Sequence, residues 1–241
     1  MATHEVRDDQ LPGGAGASGD VEAIPAASLM LLRGSPFEVL MILRHARSSF
    51  VPDAWVFPGG AVDPLDAEIA LEIGSGTTID TMRVAAIRET LEESGVWIGA
   101  PLPDAEAFRR GLLDGSSTLR DVLQRASVDL EKLVWTSRWI TPLGIPKRFD
   151  TWFFLAEAPS RAVATADQRE AVEVRWITPA DAIRGNRDGS FPMVFPTIKN
   201  LEAIAAASSI EALLDSRRGA DIRPIQPVLV TDGKSKRLVL P

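Results

Sequence analysis

The stretch Arg88-Glu89-Thr90-Leu91-Glu92-Glu93-Ser94-Gly95-Val96 gathers three carboxylates and a guanidinium within six residues. On a helix Glu89 stands three residues from Glu92 and four from Glu93, so the acids share one side while Ile87 and Leu91 face elsewhere. Like charges at that spacing cost a helix roughly 0.2 to 0.5 kcal/mol per pair. Glu92 has Arg88 four residues before it, but Glu89 and Glu93 have no cation three or four residues away in either direction. Positive charge should therefore come from outside the helix. Clustered hard oxygen donors suit Mg²⁺ or Mn²⁺, which keep several waters and bridge protein carboxylates to substrate phosphates. A solvated acidic helix face is the other reading of the same residues.

Composition narrows the alternatives. The 241 residues hold 26 Lys and Arg against 33 Asp and Glu, a net charge of −7, so no general basic field exists to hold nucleic acid. The chain contains no cysteine, which excludes disulfides, thiolate metal sites and a thiol nucleophile. Its two histidines, His4 and His45, rule out a multi-histidine metal site and leave a Ser-His-Asp triad only His45 to use. The apolar run Ala23 to Leu32 contains Pro25 and is far shorter than the roughly 18 to 20 residues of a membrane span. Glu5, Asp8 and Asp9 near the start do not suit a secretory signal, and a cytoplasmic location is expected.

Around the acidic helix the pattern predicts an α/β domain. Residues 1–22 are polar and small and are expected to form an unstructured tail, with a single domain over 23–241. Residues 28–33 and 38–44 read as a hairpin of buried strands around Gly34-Ser35-Pro36, and Trp55-Val56-Phe57 as a third strand ended by Pro58-Gly59-Gly60. Residues 61–78 lack a sustained period and are expected to be a loop with a short helix. A helix capped by Thr78 or Asp80 runs to Ser94 and stops at Gly95, burying Val84, Ile87 and Leu91, before extended structure resumes at Val96-Trp97-Ile98. Residues 104–134 predict a helical insert of two stretches joined at Gly115-Ser116-Ser117. Strands are expected over 137–141, 150–156 and 171–177, helices near 179–184, 196–206 and 209–217, and an extended C-terminal tail.

The segment Arg88 to Val96 resembles the second half of the Nudix hydrolase signature, Gly-x5-Glu-x7-Arg-Glu-U-x-Glu-Glu-x-Gly-U with U aliphatic. Arg88, Glu89, Glu92, Glu93, Gly95 and Val96 match position by position, and Thr90 departs at a U position. For the first half, Gly74 and Asp80 would give an unbroken box with Asp in place of Glu. The preferred alignment begins instead at Phe57-Pro58-Gly59-Gly60 and carries an insertion of 14 residues within about 61–78. Such an interrupted box is similar to the Nudix branch that contains the peroxisomal coenzyme A diphosphatase. Val51-Pro52-Asp53-Ala54-Trp55, Val62-Asp63-Pro64, Ala85-Ala86-Ile87 and Lys147 to Phe154 also look like that branch. The resemblance covers about residues 27–185.

It implies a mixed β-sheet sandwiched between helices, with extra C-terminal helices, and hydrolysis of a pyrophosphate in a nucleoside diphosphate derivative. Glu89, Glu92 and Glu93 would hold Mg²⁺ or Mn²⁺, Arg88 would orient Glu89, and Glu170 or Glu173, with Asp167 behind them, would supply a further acid. Gly59 and Gly60 would allow close approach of the backbone. Arg44, Arg47 and Arg148 are candidate diphosphate contacts, and Phe149, Trp152 or Trp55 could stack on a base, although aromatics in strand runs are more often core. Coenzyme A or acyl-coenzyme A leads as the expected substrate. ADP-ribose, NADH, dinucleoside polyphosphates and capped RNA stay open, as do a homodimer, a ligand-binding module without turnover, and an unrelated protein with an acidic helix.

Overall fold

A computed structural model describes residues 3–6, 21–48, 50–160, 162–232 and 235–240. In chain order the elements are β1 (Thr3–Val6), β2 (Ile24–Arg33), β3 (Glu38–Arg44), β4 (Trp55–Val56), β5 (Gly59–Ala61), α1 (Pro64–Ile73) and α2 (Thr78–Ser94). They continue with α3 (Ala105–Asp114), α4 (Leu119–Leu123), β6 (Val134–Ile140), β7 (Phe149–Glu157) and β8 (Ala171–Ile177). The C-terminal third adds α5 (Pro179–Asp188), α6 (Phe195–Ile204), α7 (Ile210–Arg217), β9 (Pro224–Ile225), β10 (Val228–Asp232) and β11 (Ser235–Val239).

β2 lies at the centre of an eight-stranded mixed sheet of order β4-β3-β2-β7-β6-β9, with β5 on β2 and β8 on β3. The expected hairpin exists, but β2 and β3 pair only at Leu32↔Val39 and Arg33↔Glu38. Beyond that point they part. β2 runs parallel to β7 from Ile24↔Phe149 to Leu32↔Glu157, and β3 pairs with β8 and β4. The opened hairpin leaves room for β5, whose Gly59–Ala61 pairs with Ala26–Ser28.

Both faces of the sheet are buried, and side-chain alternation assigns each residue to one of them. Ala27, Leu29, Leu31, Leu40, Trp152 and Phe154 pack with Val84, Ile87 and Leu91 of α2. Met30, Leu32, Val39, Met41, Phe153 and Leu155 pack with Phe195, Ile198 and Leu201 of α6 and Ile210 and Leu213 of α7. The expected sandwich of a mixed sheet between helices is therefore present. Among the described residues no helix is long and apolar enough to cross a membrane.

Three expectations need correction. Thr3–Val6, inside the supposed unstructured tail, form β1 and pair with β11 in a three-stranded sheet with β10; residues 7–20 lie outside the described residues. The region 61–78 does hold the expected short helix and loop: α1, of ten residues, is started by Pro64 and a capping box in which Asp63 accepts from the Leu65 N–H and Asp66 from the Asp63 N–H. α2 is capped by Thr77, one residue before the expected caps, and ends at Gly95 with φ 71°. Val96, Trp97 and Ile98 join no strand; they are buried against the α2 side of the sheet.

Candidate active site

The C-terminal half of α2 passes beneath β5, and the glycines make that approach possible. A Cβ on Gly60 would lie 2.6 Å from the Glu89 carboxylate, and one on Gly59 would lie 2.4 Å from the Ala27 carbonyl oxygen. With no side chain in the way, the Gly59 N–H donates to Glu93 Oε2 at 2.8 Å. Glu93 is only 3% exposed, and its Oε1 is buried without a hydrogen-bond donor. Arg44 Nη1 stands 3.9 Å from that oxygen and Arg44 Nη2 is 4.0 Å from Glu170 Oε2, while Arg44 Nε donates to the Phe50 carbonyl.

Arg88 is the hub of the cluster. Its Nε and Nη2 donate to both oxygens of Asp66, at 3.0 and 2.9 Å, and Nη2 also reaches the Ala61 carbonyl. Nη1 donates to Glu89 at 2.7 Å and to Glu92 at 3.2 Å. Asp66 is fully buried at the third position of α1, so this helix supplies the carboxylate that fixes Arg88. Gly60 to Asp66 and Gly74 to Asp80 both have the Gly-x5-Glu step of the signature, but only Asp66 meets Arg88, which favours the interrupted alignment. Asp80, the acid of the unbroken alignment, pairs with Arg83 instead.

One guanidinium does not balance these acids. Burial pushes Glu93 well above the usual carboxylate range and the Glu89 charge adds to it, the Gly59 N–H and Arg44 opposing without cancelling the shift. Burial also raises Glu89 against the pull of Arg88, and raises Glu92 to about 7. Burial works against the Arg88 charge too, but the hydrogen bond to Asp66 and the charges of Glu89, Asp66 and Glu92 outweigh it and hold Arg88 above its ordinary value. Among the described residues no three acids converge as a ligand shell; Glu89 and Glu92 both accept from Arg88 Nη1. The donor-free Glu93 oxygen and the raised pKa values nevertheless fit a cation of hard character beside Glu89, Glu92 and Glu93.

Glu89 and Glu92, with Arg88, line a cleft of about 630 Å³, while Glu93 is buried and not among its lining residues. Arg44, Lys147 and Phe149 line it as well, with Glu170 at its edge. The rest of the lining is largely apolar, with Trp139, Phe153, Met193, Phe195 and Leu238, and includes the hydroxyls of Thr141, Thr151 and Thr197. Asp167 holds the Glu170 segment by accepting from the Glu170 and Ala171 N–H groups, and the His45 N–H donates to the Glu170 carbonyl.

The other sequence candidates sit elsewhere. Glu173 pairs with Arg175 and is not among the cleft residues. Arg47 is exposed beyond β3, where its N–H donates to His45 Nδ1. Arg148 is buried and donates to the carbonyls of Thr141 and Val21, which ties the start of β2 to the β6–β7 turn. Trp55 stacks on Phe191 and Trp152 on Trp135, both as core. Asp66 and Lys147 were not among the sequence candidates, although the Asp63-Pro64-x-Asp66 capping pattern marks the helix that carries Asp66.

The NUDIX domain model matches residues 23–195. Nudix hydrolase 7 of Caenorhabditis elegans is 28% identical over 84% of this chain and 66% of its own length. Proteins named acyl-coenzyme A diphosphatase NUDT19 are 26% identical in Gallus gallus, over 78% of this chain and 69% of that one, and in Homo sapiens, over 61% and 54%. The chain thus spans about half to two thirds of the length of these relatives. The crystal structure of a NUDIX hydrolase from Alicyclobacillus acidocaldarius matches with a TM-score of 0.73 and 28% identity, covering 83% of this chain and 99% of that one.

Proposed function

The chain belongs to the NUDIX family, and from that premise we propose a divalent-metal-dependent pyrophosphohydrolase whose preferred substrate is coenzyme A or an acyl-coenzyme A. The lining of the cleft carries this reading: it combines the acids Glu89 and Glu92 and the cations Arg44 and Lys147 with many apolar side chains, among them Trp139, Phe153, Met193 and Phe195. A ligand with a diphosphate at one point and a long, partly apolar arm suits both. ADP-ribose, polar at both ends, leaves the apolar wall unused. The relatives named acyl-coenzyme A diphosphatase support the same choice.

In the reaction, water adds to one phosphorus of the diphosphate and the bridging P–O bond breaks, the second phosphate leaving with the bridging oxygen. Mg²⁺ or Mn²⁺, held by Glu89, Glu92 and Glu93, would supply charge neutralisation and a lowered water pKa. Arg88, fixed by Asp66, orients Glu89 and Glu92. Arg44 and Lys147 stabilise the diphosphate charge, and Phe149, edge-on to Phe50 with centroids 4.7 Å apart, offers a flat face to the nucleobase. Glu170 reaches the water from solvent and accepts its proton.

Mass spectrometry of products from a Mg²⁺-containing panel of coenzyme A, acyl-coenzyme A, ADP-ribose, NADH and diadenosine polyphosphates tests the reading, with Glu93→Gln as the blank. Formation of 3′,5′-ADP and a phosphopantetheine from the first two, absent in the blank, is expected. Preferred cleavage of another member overturns the coenzyme A assignment. No turnover with ligand still bound favours a binding module.

A further inference from the structure

The insert made by α3 and α4 contributes nothing to the cleft wall, yet it sends one side chain to the end of the metal-site helix. Arg109, on α3, is 3% exposed. Its Nε donates to the Glu92 carbonyl at 2.9 Å and its Nη2 to the Glu93 carbonyl at 3.0 Å. Carbonyls of a last helical turn have no donor within the helix and lie at its negative end, so a buried cation there satisfies both needs. The same guanidinium donates through Nη1 to Thr165 Oγ1 at 2.9 Å and through Nη2 to the Thr165 carbonyl at 2.8 Å. Thr165 returns the contact by donating its N–H to the Ser94 carbonyl at 2.9 Å. Two residues later Asp167 begins the turn that presents Glu170, and Glu170 faces Arg44, which in turn faces Glu93.

Arg109 therefore grips the peptide groups of two of the proposed metal-holding glutamates and the root of the loop that carries the further acid. We propose that Arg109 is a positioning residue that locks the last turn of α2 to residues 165–170, so that Glu92, Glu93 and Glu170 keep one mutual geometry. The inference rests on the reading of Glu89, Glu92 and Glu93 as the metal-holding set. It also gives the α3 insert a role: α3 anchors the site from behind. Lysine cannot replace the guanidinium, because one ammonium lacks the planar fork that spans two carbonyls and a threonine at once.

The test compares the full chain with Arg109→Lys, Arg109→Gln and a control, Arg120→Lys, whose exposed side chain pairs with Glu68 and Glu72 on α1. Hydrogen–deuterium exchange is followed in peptides covering 92–96 and 165–171, and Mn²⁺ affinity is measured by electron paramagnetic resonance of the free ion. Arg109→Lys is expected to stay folded, to exchange faster in those two peptides alone, and to bind Mn²⁺ about 10- to 100-fold more weakly. Arg109→Gln should show a larger effect in the same direction and the control none. A merely structural Arg109 would lower the melting temperature while leaving the Mn²⁺ affinity of the folded protein and the relative exchange of 165–171 unchanged, which overturns the proposal. If the unaltered chain takes up no Mn²⁺, the metal reading fails, and the exchange result alone decides whether Arg109 holds the loop.

Discussion

Helix α2 buries two arginines among carboxylates, Arg83 and Arg88, and their surroundings end in opposite electrostatic states. At Arg83 the charges close locally. Asp80 accepts from the Ser75 N–H, the Thr77 hydroxyl and Arg83, while Arg83 also donates to Glu131 and the Leu133 carbonyl. Burial pushes Asp80 upward, but these donors outweigh it and hold the acid below its usual range. At Arg88 one cation serves Asp66, Glu89 and Glu92, and Glu93 has a single N–H donor for two oxygens. There burial prevails, and Glu89, Glu92 and Glu93 are all raised. The residue types are the same in both places; the number of donors per acid separates a strut from a site.

Substitutions at matched positions can break this contrast. The largest effect is expected at Glu93→Gln, which should lower turnover by more than about 100-fold, beyond the roughly 10- to 100-fold typical of residues that only orient ligands. Asp66→Asn, acting through Arg88, should fall within that 10- to 100-fold range and leave KM nearly unchanged. At the strut, Asp80→Asn should cost about 1 to 3 kcal/mol of stability in a denaturant titration, because a buried guanidinium loses a charged acceptor, with turnover of the folded protein unchanged. If Asp80→Asn lost turnover as Glu93→Gln does, the distinction between the two clusters would collapse.

The smallest effect is in the pH dependence of stability without metal. Glu92 rises from its ordinary 4.5 to about 7, so its contribution favours the fold fully below about 4.5 and is lost as pH rises through about 7. Asp80 behaves oppositely: its contribution holds above its ordinary 3.8 and is lost as pH falls through its lowered value. The melting temperature of chelator-treated protein should fall between pH 5 and pH 8, and Glu92→Gln should flatten that slope. An unchanged slope in the variant assigns the effect to other groups.

The acids of α2 and its buried stripe were legible because i, i+3 and i+4 spacing is a local property of sequence. Gly95 announced the helix end for the same reason, since only its left-handed backbone suits that cap. Asp66 was not recognised because its partner, Arg88, is 22 residues away and meets it only when α1 packs on α2. Arg109 left still less trace: its acceptors are mainly backbone carbonyls, which carry no residue-type signal. Arg148 and Lys147, neighbours just before β7, show how one step along the chain decides a role. Lys147 and Phe149 line the cleft, while Arg148 between them donates to the Thr141 and Val21 carbonyls.

The claim on which the account turns is that the deficit of positive charge at Glu89, Glu92 and Glu93 is met by a divalent cation. The most direct measurement is the melting temperature during a Mn²⁺ titration at pH 8 for the unaltered chain, Asp80→Asn and Glu93→Gln. A ligand that binds only the native state adds about 2.7 kcal/mol at 100 times its Kd. The account predicts a rise in melting temperature for the unaltered chain and for Asp80→Asn, and none for Glu93→Gln. An equal rise in Glu93→Gln, or no rise in the unaltered chain, would contradict it.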